Sequence, residues 1–416
     1  MYALTPAYQT YAWGAVGSTS LVGQLLNREL DETIPYAEYW IGTHPSGCAL
    51  VNIPGNPDKI PLDSFFQQNP DWIGQGSSIP SHPGSLPFMF KVLSVAKPLS
   101  IQAHPDLEMA KELHSKDPTN YPDANHKPEL ALPLNDFYAC VGLRTNEAFL
   151  TLVNLIPPLA KVLSMLDIDV SPYLPNAQPM LDQYRLSSVV MQAIAHSSFN
   201  DSFQTVYDDI NALRLQDSLS SHLLCSEALA RFHLFTVEYP QDLGCLSAAF
   251  CLQQLRGKPG DGIFIPAHVP HEYLFGNVVE VMACSDNVIR GGLTPKHCDP
   301  HILSTMLDRC THDLMTMIPQ HLALDPPNPP CWIIPNISDF MVFDLCEDIT
   351  SFPSIPVPRI VVCIGCKCGV TSSSVKMDTL PGCPLLIKAN TTFTVTCISK
   401  TSAFPRIFVV SERVQF

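Results

Sequence analysis

The sequence predicts a mainly β protein with one helical insertion. Proline makes up 39 of the 416 residues, and short apolar runs are repeatedly interrupted by Pro, Gly, Asn and Asp. This pattern is typical of many short strands joined by turns. Between about residues 145 and 235 the apolar residues instead recur at helical spacing. After residue 331 strand-like runs return, and their spacing favours a sandwich or jelly roll.

The predicted elements follow in order along the chain. Early strands are expected at 38–42, at 88–95 and over 99–104, where apolar and polar residues alternate. Thr145 is a candidate N-cap for a helix over 146–155. Further helices are expected at 159–166, 186–194, 202–215 and 219–232. Later strands are expected at 263–266, 278–282, 340–345, 359–364, 385–388, 393–396 and 406–410.

The composition describes a folded, acidic protein. Hydrophobic residues make up 46% and charged residues 15%, which excludes a disordered chain. The net charge is −15 and no basic run occurs, so nucleic acid is not an expected partner. A phosphorylated ligand would need Lys and Arg residues gathered locally. The chain opens without a secretory signal and has no apolar run long enough for a membrane span, so we expect a cytoplasmic monomer with free thiols.

Gln102 and His104 are the first candidates for a metal site. They stand two residues apart on a predicted strand, so their side chains point to the same face. The carboxylate of Glu129 and the imidazole of His271 could complete a four-ligand cage, which suits a divalent metal such as zinc. The spacing alone leaves two other interpretations open. One is an iron site of two His and one carboxylate, as in oxygenases, and the other is a set of polar residues with structural roles only.

Several passages carry a resemblance to a known family. They are Tyr11-Ala-Trp13-Gly14, the run AEYWIGTHP at 37–45, FKVL at 90–93, LSIQAHPD at 99–106, HKPE at 126–129 and EVMACSDNVIRGGLTPK at 280–296. In this order they resemble the signatures of type I mannose-6-phosphate isomerases, also called phosphomannose isomerases, which are metal-dependent enzymes of the cupin superfamily. The matches span about residues 1–300, and their combination is far more specific than any one motif.

The resemblance implies a fold, a cofactor and a reaction. It implies a cupin-type jelly-roll catalytic core formed by residues 1–144 and 241–330, a helical insertion domain at 145–240 and a jelly-roll-like β domain at 331–416. The family's ligand positions fall on Gln102, His104, Glu129 and His271, which would hold one Zn²⁺ per subunit. The family interconverts mannose 6-phosphate and fructose 6-phosphate through an enediol(ate), so a small sugar phosphate is the expected partner.

The resemblance also gives candidate roles to residues near the metal. Arg290 and Lys127 are expected to stabilise charge or relay protons, Glu280 is the acid/base candidate, and Asp286 is a further titratable candidate. The donors available for phosphate in the matched passages are Lys91, Ser100, Lys127, Arg290 and Lys296. Trp13 and Tyr273 are expected to wall the pocket, with a purely structural role as the alternative. The identity of the general base and of the phosphate ligands stays open at this stage.

Two rival functions from other classes remain. An iron-dependent cupin oxygenase could use the same two His and one carboxylate, but a fourth ligand such as Gln102 speaks against it. A non-catalytic sugar-binding cupin would be favoured by the loss of ligands, and none is lost here. The run Cys363-Ile-Gly-Cys366-Lys-Cys368 resembles half of a zinc knuckle, but a second pair at suitable spacing is missing.

Overall fold

The computed structural model describes residues 1–74, 84–177, 182–213, 222–310, 320–322, 331–345, 349–400 and 405–414. Within these residues the chain forms a ten-stranded sheet, a nine-stranded sheet, a four-stranded sheet and a two-stranded ribbon, with helices grouped mainly in the middle of the sequence. The predicted mainly β class with a helical insertion is therefore confirmed. Part of the predicted helix over 219–232 lies outside the described residues.

The ten-stranded sheet is organised around one long strand, His271–Ala283, which we call the central strand. Its first residues pair with Phe137–Leu143 and with Gln102–Ala103, while its later residues pair with Phe88–Val95 and Glu129–Pro133. The main path of this sheet runs Leu252–Gly257, Phe137–Leu143, His271–Ala283, Phe88–Val95, Glu38–Ile41 and Ala7–Gln9. Ile263–Ile265 pairs with Glu129–Pro133, and Ile289–Arg290 pairs with Gln102–Ala103. One strand thus gathers segments that are distant in sequence.

The central strand changes partners at Gly276. This residue has a φ of 113°, and a Cβ built on it would lie 2.5 Å from the carbonyl oxygen of Asp136. Only glycine tolerates this backbone conformation and this close approach. The break in the extended conformation separates the half that begins at His271 from the half that contains Glu280. Side chains from both halves can therefore face a common interior.

The nine-stranded sheet combines the two ends of the chain. Its strands, in spatial order, are Gln320–Leu322, Cys331–Ile333, Met341–Leu345, Arg406–Ser411, Arg359–Ile364, Leu385–Ile387, Tyr2–Thr5, Leu50–Asn52 and Ile60–Pro61. The last three belong to the segment predicted as the first part of the catalytic domain. The C-terminal sheet therefore also depends on N-terminal strands, which pair with it at Ala3↔Leu385.

Two cores lie on the two faces of this sheet. On one face, Phe343 and Val361 pack with Phe352 and Phe393 of the four-stranded sheet. The strands of that sheet are Ile349–Phe352, Phe393–Lys400, Cys366–Ser372 and Lys376–Thr379. The other face packs against the ten-stranded sheet, where the rings of Phe90 and Phe408 lie 5.9 Å apart. The catalytic and C-terminal segments therefore share one continuous hydrophobic core.

The helical segment begins where the sequence predicts it. Thr145 is the N-cap of the helix Asn146–Leu155, and its Oγ1 accepts a hydrogen bond from the backbone N–H of Ala148 at 3.2 Å. Within the described residues the predicted helix over 219–232 corresponds to the helix Leu223–Glu238, which extends beyond Phe232 because buried Phe235 continues the apolar face. The other helices of this segment are Pro157–Met165, Arg185–Ala195 and Asp201–Leu213. Helices elsewhere are Leu21–Leu25, Leu62–Gln68, Pro70–Ile73, Leu107–Lys116, Gly244–Leu246 and Pro300–Arg309.

The expectations about membrane spans and about cysteines can be compared with the described residues. No single described helix is long and apolar enough to cross a membrane. The consecutive helices Asn146–Leu155 and Pro157–Met165 reach that length and apolar composition only when taken together, and the chain bends by 112° between them. No disulfide joins the cysteines in the described part of the chain.

The shared core gives a test of the fold. Phe408 is fully buried between the two large sheets. We expect Phe408→Ala to lower the free energy of unfolding by about 3–5 kcal/mol, because it removes a ring from a close-packed interior. Urea unfolding measures this loss. Ile398→Ala, at a side chain that is 46% exposed, serves as the control with a change within about 0.5 kcal/mol. Equal midpoints for the two variants would contradict the arrangement of the sheets.

Candidate active site

Three buried side chains converge on one point inside the ten-stranded sheet. His104 follows the strand Gln102–Ala103, Glu129 is the first residue of its strand, and His271 is the first residue of the central strand. The Nε2 atom of His104 lies 3.1 Å from Oε1 of Glu129, and Nε2 of His271 lies 3.4 Å from Oε2. One donor atom from each residue lies within 4.8 Å of the others. We call His104, Glu129 and His271 the three-donor cluster.

The hydrogen bonds of the two imidazoles fix the direction of their lone pairs. Nδ1 of His104 lies 2.9 Å from the carbonyl oxygen of Asn287, and Nδ1 of His271 lies 3.0 Å from that of Val269. A carbonyl oxygen only accepts, so Nδ1 donates in each case and Nε2 of the neutral ring holds a lone pair. Both lone pairs are therefore directed toward the Glu129 side chain.

This arrangement fits a bound cation. Burial lowers the pKa of His104 to about 4, so its ring is neutral at pH 7. Its Nε2 atom is buried and makes no hydrogen bond, although a carboxylate oxygen is 3.1 Å away. Burial acts to raise the pKa of Glu129, but His104 in its protonated form and the Lys127 ammonium outweigh it and hold that pKa well below its usual range. Two lone pairs and a carboxylate that face one another in a buried site are suited to hold a cation between them.

Gln102 lies beside the three-donor cluster. Its backbone is paired with both His271 and Arg290, and its side chain lines the same cavity as Glu129. The Nε2 amide donates a hydrogen bond to Oγ of Ser100 at 3.3 Å, which leaves the amide oxygen as the available acceptor. The position and chemistry of Gln102 therefore suit a fourth oxygen donor.

His268 has a different environment. Its ring Nε2 lies 2.9 Å from Oδ2 of Asp106, and its backbone N–H donates to the carbonyl oxygen of His104 at 2.8 Å. These contacts hold the loop before the central strand against the segment that carries His104. They indicate a local structural role for His268.

A row of charged side chains continues from the three-donor cluster into a cavity of about 60 Å³. Nζ of Lys127 lies 3.3 Å from Oε1 of Glu129. Nζ of Lys91 lies 3.5 Å from Oε2 of Glu38 and 3.5 Å from Oε1 of Glu280. The lining residues are Glu38, Lys91, Leu93, Leu99, Gln102, Lys127, Glu129, His271, Glu272, Tyr273 and Glu280. The cavity therefore presents two ammonium groups beside several carboxylates.

Burial and neighbouring charges shift the pKa values of this row. Burial raises the pKa of Glu280 to about 7, and the Glu129 carboxylate acts in the same direction. Burial alone would lower the pKa of Lys91, but Glu38 and Glu280 outweigh it and raise that pKa above its usual value. Lys91 is therefore an ammonium at neutral pH, whereas Glu280 can exchange a proton there.

Strand register explains the position of Lys91. Trp40 and Lys91 are cross-strand partners, and Lys91 and Glu280 are partners on the next pair of strands. Directly opposite residues point to the same face of a sheet, so these three side chains form a row. Glu38 is two residues before Trp40 and shares its face.

Arg290 and Asp286 are not among the residues that line the 60 Å³ cavity. Arg290 lines a separate cavity of about 370 Å³, together with Asp242, Gly291 and Cys298. Within the described part of the chain no carboxylate lies within ion-pair distance of its guanidinium. Asp286 Oδ2 lies 3.2 Å from Nε2 of His44.

Three further predicted pocket residues have aromatic contacts. The Trp13 and Tyr11 rings stack 5.8 Å apart, and Nζ of Lys296 lies 5.6 Å from the Tyr11 ring centroid. The Tyr273 ring packs edge-on against Phe137 at 5.1 Å and lines the 60 Å³ cavity.

The sequence interpretation did not assign a site role to Glu38 or Trp40. Both lie in the run at 37–45 that carries the family resemblance. Trp40 Nε1 donates to Oε2 of Glu38 at 2.5 Å, and its ring centroid is 4.8 Å from Nζ of Lys91. The position of Glu38 and Trp40 on one strand face is the available signal, but no local pattern indicates that Lys91 faces them.

Comparison with known proteins gives a consistent result. The family described as "Phosphomannose isomerase type I, catalytic domain" matches residues 1–146. A mannose-6-phosphate isomerase from Rattus norvegicus is 37% identical over 319 residues, which cover 74% of this chain and 73% of the rat protein. Mannose-6-phosphate isomerase 2 from Arabidopsis thaliana is 34% identical over 425 residues, which cover 98% of this chain and 93% of the plant protein.

Solved structures of such isomerases are similar to this chain over nearly its whole length. A zinc-bound mannose 6-phosphate isomerase is similar with a TM-score of 0.80 and 25% identity, and the match covers 99% of both chains. A variant of phosphomannose isomerase from Salmonella typhimurium is similar with a TM-score of 0.80 and 25% identity over 100% of both chains.

The three-donor cluster gives a test that requires no assay of activity. We expect Glu129→Ala to lose most of the bound divalent metal, because it removes the only carboxylate of the cluster. Metal content after dialysis against zinc and gel filtration measures this loss by elemental analysis. Glu147→Ala, at an exposed carboxylate in the first turn of a helix, is the matched control and should keep its metal. A Glu129→Ala protein with the full metal content would refute the site.

Proposed function

The chain belongs to the type I phosphomannose isomerase family and is therefore a zinc-using enzyme of that family, and we propose that it interconverts mannose 6-phosphate and fructose 6-phosphate. The observation that carries the proposal is the buried three-donor cluster next to a cavity that contains Lys91, Lys127 and Glu280. Family membership and the presence of all four predicted ligands argue against the oxygenase and the non-catalytic cupin. The cytoplasmic location and the monomeric state stay predictions of the sequence.

The residues proposed to hold zinc are His104, Glu129, His271 and Gln102. Their nitrogen and oxygen donors suit zinc, and the tautomers of both imidazoles leave Nε2 available as a ligand. When bound, zinc would supply Lewis acidity toward the oxygens at C1 and C2 of the open-chain sugar. Every other part of the mechanism is assigned to side chains of this chain.

Proton transfer is the central step of an aldose–ketose isomerisation. We assign it to Glu280, which lines the cavity and whose pKa burial raises to about 7, close to the value that suits a general base at neutral pH. The carboxylate would remove the proton from C2 of mannose 6-phosphate while the C1 carbonyl oxygen gains charge. The C1=C2 bond of the enediol(ate) then accepts the same proton at C1, while the proton of the C2 hydroxyl passes to O1 and the carbonyl forms at C2.

Charge that develops on the sugar oxygens needs nearby cations. Lys91 and Lys127 both direct ammonium groups into the cavity, so we assign hydrogen bonds from them to the oxygens at C1 and C2. Tyr273 would wall the site through its ring. Asp286 is bound to His44 at 3.2 Å, so we give it no part in proton transfer.

The phosphate needs a different cation. Lys91 lies between two carboxylates, which argues against its use as a phosphate ligand. Arg290 is half-buried, faces a cavity of about 370 Å³ and is the cross-strand partner of Gln102. Because its guanidinium has no carboxylate partner among the described residues, we assign Arg290 to the anionic part of the substrate. We propose that three further residues line the path between the sugar and the phosphate group of the substrate: Lys296, Ser100 and Trp13.

Metal removal gives the first test of the proposed function. We expect chelated protein to lose at least about nine-tenths of its mannose 6-phosphate isomerase activity, because the carbonyl oxygens then lack their main stabilising charge. Stoichiometric zinc should restore turnover, measured as fructose 6-phosphate formed. Untreated protein with no isomerase activity, or chelated and verified metal-free protein with full activity, would contradict the proposal.

Arg290→Ala tests the assignment of the anion site. We expect the variant to keep its metal, because Arg290 is not a member of the three-donor cluster, and to lose about a hundredfold in kcat/KM. Steady-state kinetics and elemental analysis on the same sample measure both properties. Arg256→Ala, at an exposed arginine, is the control for a surface charge change. Wild-type kinetics for Arg290→Ala would show that Arg290 contributes nothing to substrate binding or turnover.

A further inference from the structure

We propose that Glu38 is a positioning residue that holds the ammonium group of Lys91 in place for the reaction. The inference rests on the proposed function, because Lys91 is taken there to contact the substrate. Glu38 itself is proposed to act only through Lys91.

The contacts around Lys91 carry the proposal. Its Nζ atom lies at equal distances of 3.5 Å from a Glu38 oxygen and from a Glu280 oxygen. The exposed fractions are 8% for Glu38, 8% for Lys91 and 4% for Glu280. A buried ammonium placed between two buried carboxylates is held by both, because little water is present to screen either attraction.

Trp40 holds Glu38 in the orientation that this requires. The indole N–H donates to Glu38 Oε2, the same oxygen that faces Lys91, at 2.5 Å. The indole ring also lies 4.8 Å below the Lys91 ammonium. Trp40 packs with Met89 and Met282, so its ring is fixed in a small buried cluster. The carboxylate of Glu38 is therefore fixed before any substrate binds.

The presence of two carboxylates beside Lys91, and not one, affects the proposed reaction. With Glu280 as its sole partner, the Lys91 ammonium would move onto that carboxylate and away from the midpoint that it now occupies. It would then neutralise the group assigned to proton transfer and leave the sugar oxygens. Glu38 attracts Lys91 from the strand on the other side, so Lys91 stays available to the substrate and Glu280 stays free to move a proton.

A double-mutant cycle tests this coupling on zinc-loaded, full-length protein. We expect Glu38→Gln to lower kcat by about tenfold to a hundredfold with KM changed by less than about threefold, because the substrate still binds but Lys91 is misplaced in the transition state. Lys91→Met should lower kcat by at least as much. The double variant should match Lys91→Met alone, because a residue that acts through Lys91 has no effect once Lys91 is gone.

A control variant and a substitute variant complete the experiment. Asp344→Asn removes a buried carboxylate from its ion pair with Arg406, 2.7 Å apart in the other sheet, and should leave kcat unchanged. If Glu38→Gln does not fold, Trp40→Phe replaces it, since it removes the indole N–H but keeps a ring under Lys91, and it should also lower kcat.

The outcomes separate this inference from the proposed function. Wild-type protein without isomerase activity would refute the function. An active wild type with an unchanged kcat in folded, metal-containing Glu38→Gln, or with additive losses in the double variant, would overturn the role of Glu38 alone. If Trp40→Phe is used because Glu38→Gln does not fold, an unchanged kcat in Trp40→Phe would likewise overturn the role of Glu38.

Discussion

The structure depends on one electrostatic constraint, which is that the buried Glu129 carboxylate faces the lone pairs of His104 and His271. Both imidazoles donate their Nδ1–H to backbone carbonyls, so neither ring has a proton to offer the carboxylate while it is neutral. A cation placed among these acceptors would stabilise them in a dry interior. Three separate chain segments must therefore be held together by the surrounding sheet, and the central strand does this.

The same sheet explains why metal site and proton-transfer group are neighbours. The central strand begins with His271 and, after the break at Gly276, continues to Glu280 in a different set of partners. Glu280, Lys91 and Trp40 then form a row across three strands, with Glu38 on the same face. The Lys91 ammonium lies between the carboxylates of Glu38 and Glu280. This alternation of charge allows several ionisable groups to be buried in one place.

Local sequence patterns predict much of this arrangement, but they do not predict the contacts between distant segments. The strand Phe88–Val95 and the capped helix after Thr145 have the expected bounds, because alternation and capping are properties of neighbouring residues. The pairing of Tyr2–Thr5 with the C-terminal sheet was not predictable, since strand pairing over hundreds of residues leaves no local pattern. For the same reason Lys91 could be recognised as a cation near the site, but not as one shared between Glu38 and Glu280.

The most direct test of the account is X-ray absorption at the zinc edge of the purified protein. The constraint at Glu129 predicts a shell of nitrogen and oxygen ligands only, at about 2.0–2.1 Å, with the multiple-scattering features of two imidazoles. This signal should disappear when His104 and His271 are both replaced by alanine. A sulfur shell at about 2.3 Å would instead assign the metal to cysteines such as those at 363, 366 and 368, and would contradict the account.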